Sequence, residues 1–187
     1  MFDKLFGKKR KTASGPPESM APADRARAVR GSATAELAAR LLIAPTALFQ
    51  LSLEEAMVVV SYMIPHRIPA GTTFINEGDL SDTGYMALLL EGEVTVENIV
   101  VSRRSPVTVT VLGPGSLIGE MGLVDGQARL ASCTASTAVQ CAILSREALE
   151  KLGGDAPRTA MKLMPRCLCA SPNASETPQK NSACTAS

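Results

Sequence analysis

From His66 onward, short runs of β-favouring residues alternate with glycine or proline breaks at intervals of about ten residues. A chain punctuated that often has no room for long helices. The pattern predicts strands around 66–69, 72–76, 85–90, 93–98, 107–112, 116–118, 130–135 and 139–144, separated by turn-forming steps at Gly71, 77–79, 91–93 and 113–115. The alternation is cleanest over 93–97, where Val94 and Val96 fall on one side and Glu93, Thr95 and Glu97 on the other, so one face is expected to be buried and one wet. Eight strands of this kind, with helical patterns before and after, predict a mainly β fold with flanking α-helices: an eight-stranded double-sheet jelly roll.

Residues 24–42 are rich in Ala and Arg, with Leu37, Leu41 and Leu42 at helical spacing, and predict one helix weakened at Gly31 and Ser32. Ser52 with Glu55 three residues later is a capping-box signature. The helix it opens is expected to run through Val60 to Met63 or Ile64 and to end at Pro65. After the strands, Ser145 is the expected N-cap of a helix carrying Glu147, Leu149 and Leu152 and stopped by Gly153, with a second short helix over 155–164. These signals divide the chain into a basic flexible tail (1–23), an N-terminal helix (24–46), the jelly-roll domain (47–164) and a small, polar, aperiodic tail expected to be disordered (165–187).

Length bounds the chain to one domain with short extensions, since 187 residues hardly suffice for two. Aromatic residues make up only 3%, so the core must rely on aliphatic side chains and Met. The formal net charge of +1 argues against a dedicated nucleic-acid binder. It hides an asymmetry: residues 1–40 carry 9 Lys and Arg against 4 Asp and Glu, the remainder 10 against 14. The first eleven residues set Phe2, Leu5 and Phe6 beside a basic run, a combination that allows weak contact with an anionic membrane surface, although a solvated tail is the simpler expectation. No apolar run approaches the roughly 18 residues of a membrane span or the h-region of a secretory signal, so the chain reads as cytoplasmic. Five cysteines with one histidine, His66, and a lone Cys167–Cys169 C-x-C pair give no metal-site spacing. Neither a metal nor a cofactor is expected.

The stretch 119–131, GEMGLVDGQARLA, carries the recognition chemistry. Arg129 offers a planar fork of donors suited to phosphate oxygens, while Glu120 offers acceptors suited to sugar hydroxyls. Gly122 and Gly126 allow close backbone approach or positive φ, and a helical turn opening after Gly119 would present N–H groups to an anion. A phosphate and a ribose suit that pair.

Taken together, these pieces resemble the cyclic nucleotide-binding domain over roughly 48–164. Its signature segments occur in order: Pro69-Ala70-Gly71, Glu77-Gly78-Asp79, Tyr85, Leu90-Glu91-Gly92-Glu93-Val94, Leu112-Gly113-Pro114-Gly115, Ile118-Gly119-Glu120, then Arg129 with Ala131. The resemblance implies that 119–131 is the phosphate-binding cassette. Glu120 would accept from the ribose 2′-hydroxyl and Arg129 would pair with the cyclic phosphate, with backbone N–H groups near Gly119 and from Leu130 and Ala131 adding to the grip. The expected ligand-binding residues are therefore Gly119, Glu120, Met121, Arg129, Leu130 and Ala131, with cyclic AMP or cyclic GMP as ligand. Leu130 stands directly after the arginine, where similar cyclic GMP sites tend to use a hydroxyl, and so points to cyclic AMP.

The expected activity is that of a non-enzymatic sensor whose flanking helices pass occupancy to a protein effector, with a homodimer as one possible assembly. The alternative is a jelly-roll interaction scaffold that has lost its nucleotide. Catalysis is not expected: the sequence has no G-x-S-x-G elbow, no Walker-type loop and no histidine cluster. Residues 166–187 cannot hold a helix-turn-helix of the kind found in regulators resembling the catabolite activator protein, so direct DNA binding is not expected either.

Overall fold

In a computed structural model the described residues are 20–44, 50–80, 84–98 and 108–169. The expectations for the basic N-terminal run and for the last 18 residues lie outside them. The elements in chain order are α1 (Pro22–Val29), α2 (Ala33–Leu42), α3 (Leu53–Val60), β1 (Ile64–Ile68), β2 (Thr73–Ile75), β3 (Tyr85–Glu91), β4 (Val94–Asn98), β5 (Thr108–Leu112), β6 (Leu117–Ile118), α4 (Glu120–Asp125), β7 (Ser132–Ala135), β8 (Val139–Ser145), α5 (Arg146–Asp155) and α6 (Pro157–Cys169). The eight strands form two antiparallel four-stranded sheets, ordered β1-β8-β3-β6 and β2-β7-β4-β5. This is the expected mainly β, double-sheet jelly roll with helices at its flanks.

Strand β3, YMALLLE, shows why the layers stack as they do. Its residues 85–90 are all buried, because both faces of its sheet are covered. Tyr85, Ala87 and Leu89 point into the core between the sheets with Phe74, Val94 and Cys141, whereas Met86, Leu88 and Leu90 point into a second core built by the helices with Leu42, Val59 and Leu152. A doubly covered strand reads as a continuous apolar run rather than an alternating one. The half-wet alternation holds on the other sheet, where Val94 is fully buried and Glu97 is exposed.

Four local expectations are corrected. The single helix over 24–42 is two, because Gly31 adopts φ +88° and Ser32 caps the second helix by accepting from the Ala35 amide at 3.5 Å. The helix after the capping box ends at Val60, and Ile64 and Pro65 belong to β1. Proline is tolerated there because β1 is the edge strand of its sheet, where a missing N–H need not break a ladder bond. Gly153 does not stop α5, which continues to Asp155. The stop comes from Pro157, which disfavours helical geometry at Ala156 (φ −141°, ψ 67°) and itself opens α6. Helix α6 then runs past 164 to Cys169, through part of the segment expected to be disordered.

Candidate functional site

The loop from β6 to β7 builds the site. Gly119 follows β6 with φ +81°, turning the chain into the six-residue helix α4, which ends at Gly126 with φ +67°. The turn opens directly after Gly119 as expected, and of the two interior glycines Gly126 carries the positive φ while Gly122 is a helix residue. Leu130 and Ala131 precede β7, which starts at Ser132 rather than at 130. Gly119, Glu120, Met121, Arg129, Leu130 and Ala131 all line one cavity of about 560 Å³, within the size range of small-molecule sites. The rest of its lining comes from both sheets, among it Ile75, Val96, Leu112 and Cys133 of the second and Leu117 and Ile118 of β6 in the first, and from loop residues including Gln127. Leu130 stands 54% exposed.

Arg129 is only 5% exposed, and its surroundings explain how a guanidinium is held there. Its main chain is pinned by the turn at 77–79: Gly78 N–H donates to the Arg129 carbonyl at 2.8 Å and the Arg129 N–H donates to the Asp79 carbonyl at 3.1 Å. The side chain lies over the Tyr85 ring, 4.7 Å from its centroid. Nη1 donates to the Gly119 carbonyl at 2.8 Å and Nη2 to the Tyr85 carbonyl at 3.1 Å. A desolvated cation needs this density of partners. The Tyr85 hydroxyl in turn donates to the Phe74 carbonyl at 3.1 Å, fixing the ring from the far side.

Gly119 is as much part of the arginine's seat as Tyr85. A Cβ there would lie 2.4 Å from Nη1 of Arg129 and 3.1 Å from the Tyr85 carbonyl oxygen. No side chain fits between the turn and the guanidinium. Glu120 opens α4 with its side chain on the same cavity, so the arrangement places one cation, one carboxylate and the amide of Gln127 around a mostly apolar space. Those groups can recognise an anion joined to a hydroxylated ring with a flat apolar body.

Cys133 also borders the cavity, a placement the sequence pattern did not single out. Burial pushes its thiol up to about 11, with Arg129 opposing and Glu120 adding to the shift, so the sulfur is a neutral wall atom at ordinary pH. Sequence reasoning named Tyr85 and the 77–79 turn as signature pieces without a role. The turn acts through backbone carbonyls and amides, which leave no trace in residue type, and Tyr85 acts through its carbonyl and its ring, which meet Arg129 across 44 residues of sequence. Among the described residues, no group of three or more His, Cys, Asp and Glu side chains is arranged to hold a metal ion. No helix among them is long and apolar enough to cross a membrane.

With this geometry in place, the comparisons are specific. Residues 65–154 match the model of the cyclic nucleotide-binding domain family. A cyclic nucleotide-gated potassium channel of Rhizobium etli is 31% identical over 120 residues, 64% of this chain and 31% of the channel. A CRP-like cAMP-activated global transcriptional regulator of Mycobacterium tuberculosis is 28% identical over 100 residues, 54% of this chain and 43% of the regulator. The chain thus spans about a third of the one and under half of the other. The crystal structure of a cyclic nucleotide-binding domain from Methylobacillus flagellatus KT superposes with a TM-score of 0.62 at 32% identity, covering 72% of this chain and 74% of that one.

Proposed function

We propose that this chain, whose residues 65–154 belong to the cyclic nucleotide-binding domain family, binds a cyclic purine mononucleotide in the cavity beside α4 and acts as a sensor without transforming its ligand. The observation that carries the reading is the buried, stacked guanidinium of Arg129 on the same 560 Å³ cavity as the Glu120 carboxylate. In this reading Arg129 takes the cyclic phosphate, Glu120 takes the ribose hydroxyl, and the walls formed by Val96, Leu112 and Leu130 take the base. Cyclic AMP is the proposed ligand, since Leu130 brings bulk and no hydroxyl to the position after the arginine. Occupancy passes to an effector through α5 and α6, which follow β8 directly.

Recognition rather than catalysis suits a wall that sets one arginine, one glutamate and one glutamine against aliphatic side chains. Titration calorimetry with cyclic AMP and cyclic GMP tests the binding. Wild type is expected to bind cyclic AMP more tightly than cyclic GMP. Arg129→Ala is expected to weaken binding by about tenfold to a hundredfold, the worth of a charge-assisted hydrogen bond of roughly 1.5–3 kcal/mol. Chromatography of the nucleotide after incubation should return it unchanged.

A second reading rests on a specific contact. Both terminal nitrogens of the Arg129 guanidinium donate to main-chain carbonyls, Nη1 to Gly119 and Nη2 to Tyr85, so the residue also works as a staple holding the 119–131 loop to β3. If wild type and Arg129→Ala both give no heat at millimolar cyclic nucleotide, the staple is its whole role and the domain is an interaction scaffold.

A further inference from the structure

Helix α4 has six residues, far below the roughly 12–15 at which an isolated helix becomes even marginally stable. Its position must therefore come from tertiary contacts, and one of them reaches it from outside the 119–131 loop. Arg146, the first residue of α5, donates from Nη2 to the Gly122 carbonyl at 3.0 Å. That same carbonyl accepts the N–H of Gly126 at 3.1 Å, so the guanidinium sits on the turn that closes α4. The Arg146 main chain is anchored independently, its N–H donating to the Gly84 carbonyl at 2.7 Å. Gly84 precedes Tyr85, whose carbonyl and ring hold Arg129. The opposite end of α4 meets the same arginine: the Gly119 carbonyl accepts from Arg129 Nη1 and from the Leu123 N–H at 3.3 Å.

We propose that Arg146 is a positioning residue for the phosphate end of the cavity. Acting through the Gly122 carbonyl, it holds α4 against the start of β3, so that Gly119 and Glu120 keep their places relative to Arg129. Nothing about Arg146 in the sequence marks it for this: it lies 17 residues beyond Arg129, at the start of an ordinary capped helix. It is not among the cavity-lining side chains, so any effect on binding is indirect.

The inference rests on the cavity being the nucleotide site, and its test has one arm that does not. Amide exchange in the whole 187-residue chain without ligand reads the clamp alone. Arg146→Ala is expected to speed exchange across residues 120–126 by about tenfold, the loss of one charge-assisted hydrogen bond, while amides of β3 and β8 keep their protection. Titration with cyclic AMP reads the consequence: a loss of about tenfold in affinity for Arg146→Ala, partly restored by Arg146→Lys, which keeps one donor and the charge. Unchanged exchange over 120–126 overturns the proposal. So does an equal rise in exchange throughout β3 and β8, which marks general loosening, and so does unaltered affinity in a wild type that binds. If wild type binds no cyclic nucleotide, the function proposed above fails, and the exchange result still decides whether Arg146 holds α4.

Discussion

At Gly119, conformation and contact are tested by a single added methyl. The residue holds φ +81°, where an L side chain is strained by about 1–3 kcal/mol, and a Cβ would stand 2.4 Å from the Arg129 guanidinium. Gly119→Ala should therefore do two things at once. It should lower the melting temperature by several degrees, since roughly 2–4 °C accompany each kcal/mol in a domain of this size, and it should push the guanidinium off the Gly119 carbonyl. The check is differential scanning calorimetry with and without cyclic AMP: wild type should melt higher with ligand, and the variant should lose most of that increment. A variant that melts lower yet keeps the full increment would show that the arginine tolerates the displacement.

Among the elements, α3 joins the helical layer at both of its ends. Ser52 and Glu55 form a reciprocal capping box, the Glu55 amide donating to Ser52 Oγ at 3.2 Å and the Ser52 amide to Glu55 Oε2 at 2.8 Å. The same carboxylate accepts from Lys162 Nζ at 2.6 Å, tying α3 to α6 across 107 residues of sequence. At the other end of α3, Tyr62 donates to Asp155 at 2.8 Å and lies under the buried guanidinium of Arg25, 5.0 Å from the ring centroid, which ties α1 and α5 to the same place. Ser52→Ala removes one half of the cap and should cost about 1 kcal/mol, seen as a fall of about 2–4 °C in melting temperature. Lys162→Met removes an exposed pair and should cost less, since exposed ion pairs are typically worth well under 1 kcal/mol. A larger loss from Lys162→Met than from Ser52→Ala would overturn that ranking.

For the whole molecule, the titratable groups define a window of maximal stability. Burial pushes the thiols of Cys133 and Cys141 up to about 11 from an ordinary 9.0, so both favour the folded state below pH 9 and lose that contribution as pH rises toward 11. Tyr62, pushed up to about 12 by burial and its bond to Asp155, extends the loss above pH 10. On the acid side, desolvation lowers His66 from 6.5, so its contribution is present above that value and fades as pH falls below it. Glu55, held down by the Lys162 hydrogen bond, and Glu147, held down by Ser145, follow as pH falls through the carboxylate range below 4.5. The melting temperature should be nearly flat from about pH 6.5 to 9 and fall on both sides. Replacing both buried cysteines by Ala should shift the alkaline fall toward pH 10, where Tyr62 takes over; an alkaline edge that stays at pH 9 in that variant would assign it to other groups. Much of this architecture is written in the sequence. The turn cadence yields the eight strands, Ser52 and Ser145 mark helix starts, and Gly119, Glu120 and Arg129 mark the cavity, because turns, caps and donor geometry are properties of single residues and near neighbours. Missing from it are the break at Gly31–Ser32, the persistence of α5 through Gly153, Pro65 on an edge strand, the double burial of β3, and the hold of Tyr85 and Arg146 on the site. The first two are local and turn on backbone conformation, the positive φ at Gly31 and the restriction Pro157 places on Ala156; the others depend on which surface a distant segment covers or which main-chain carbonyl it brings within hydrogen-bonding distance, and backbone carbonyls are the same in every residue.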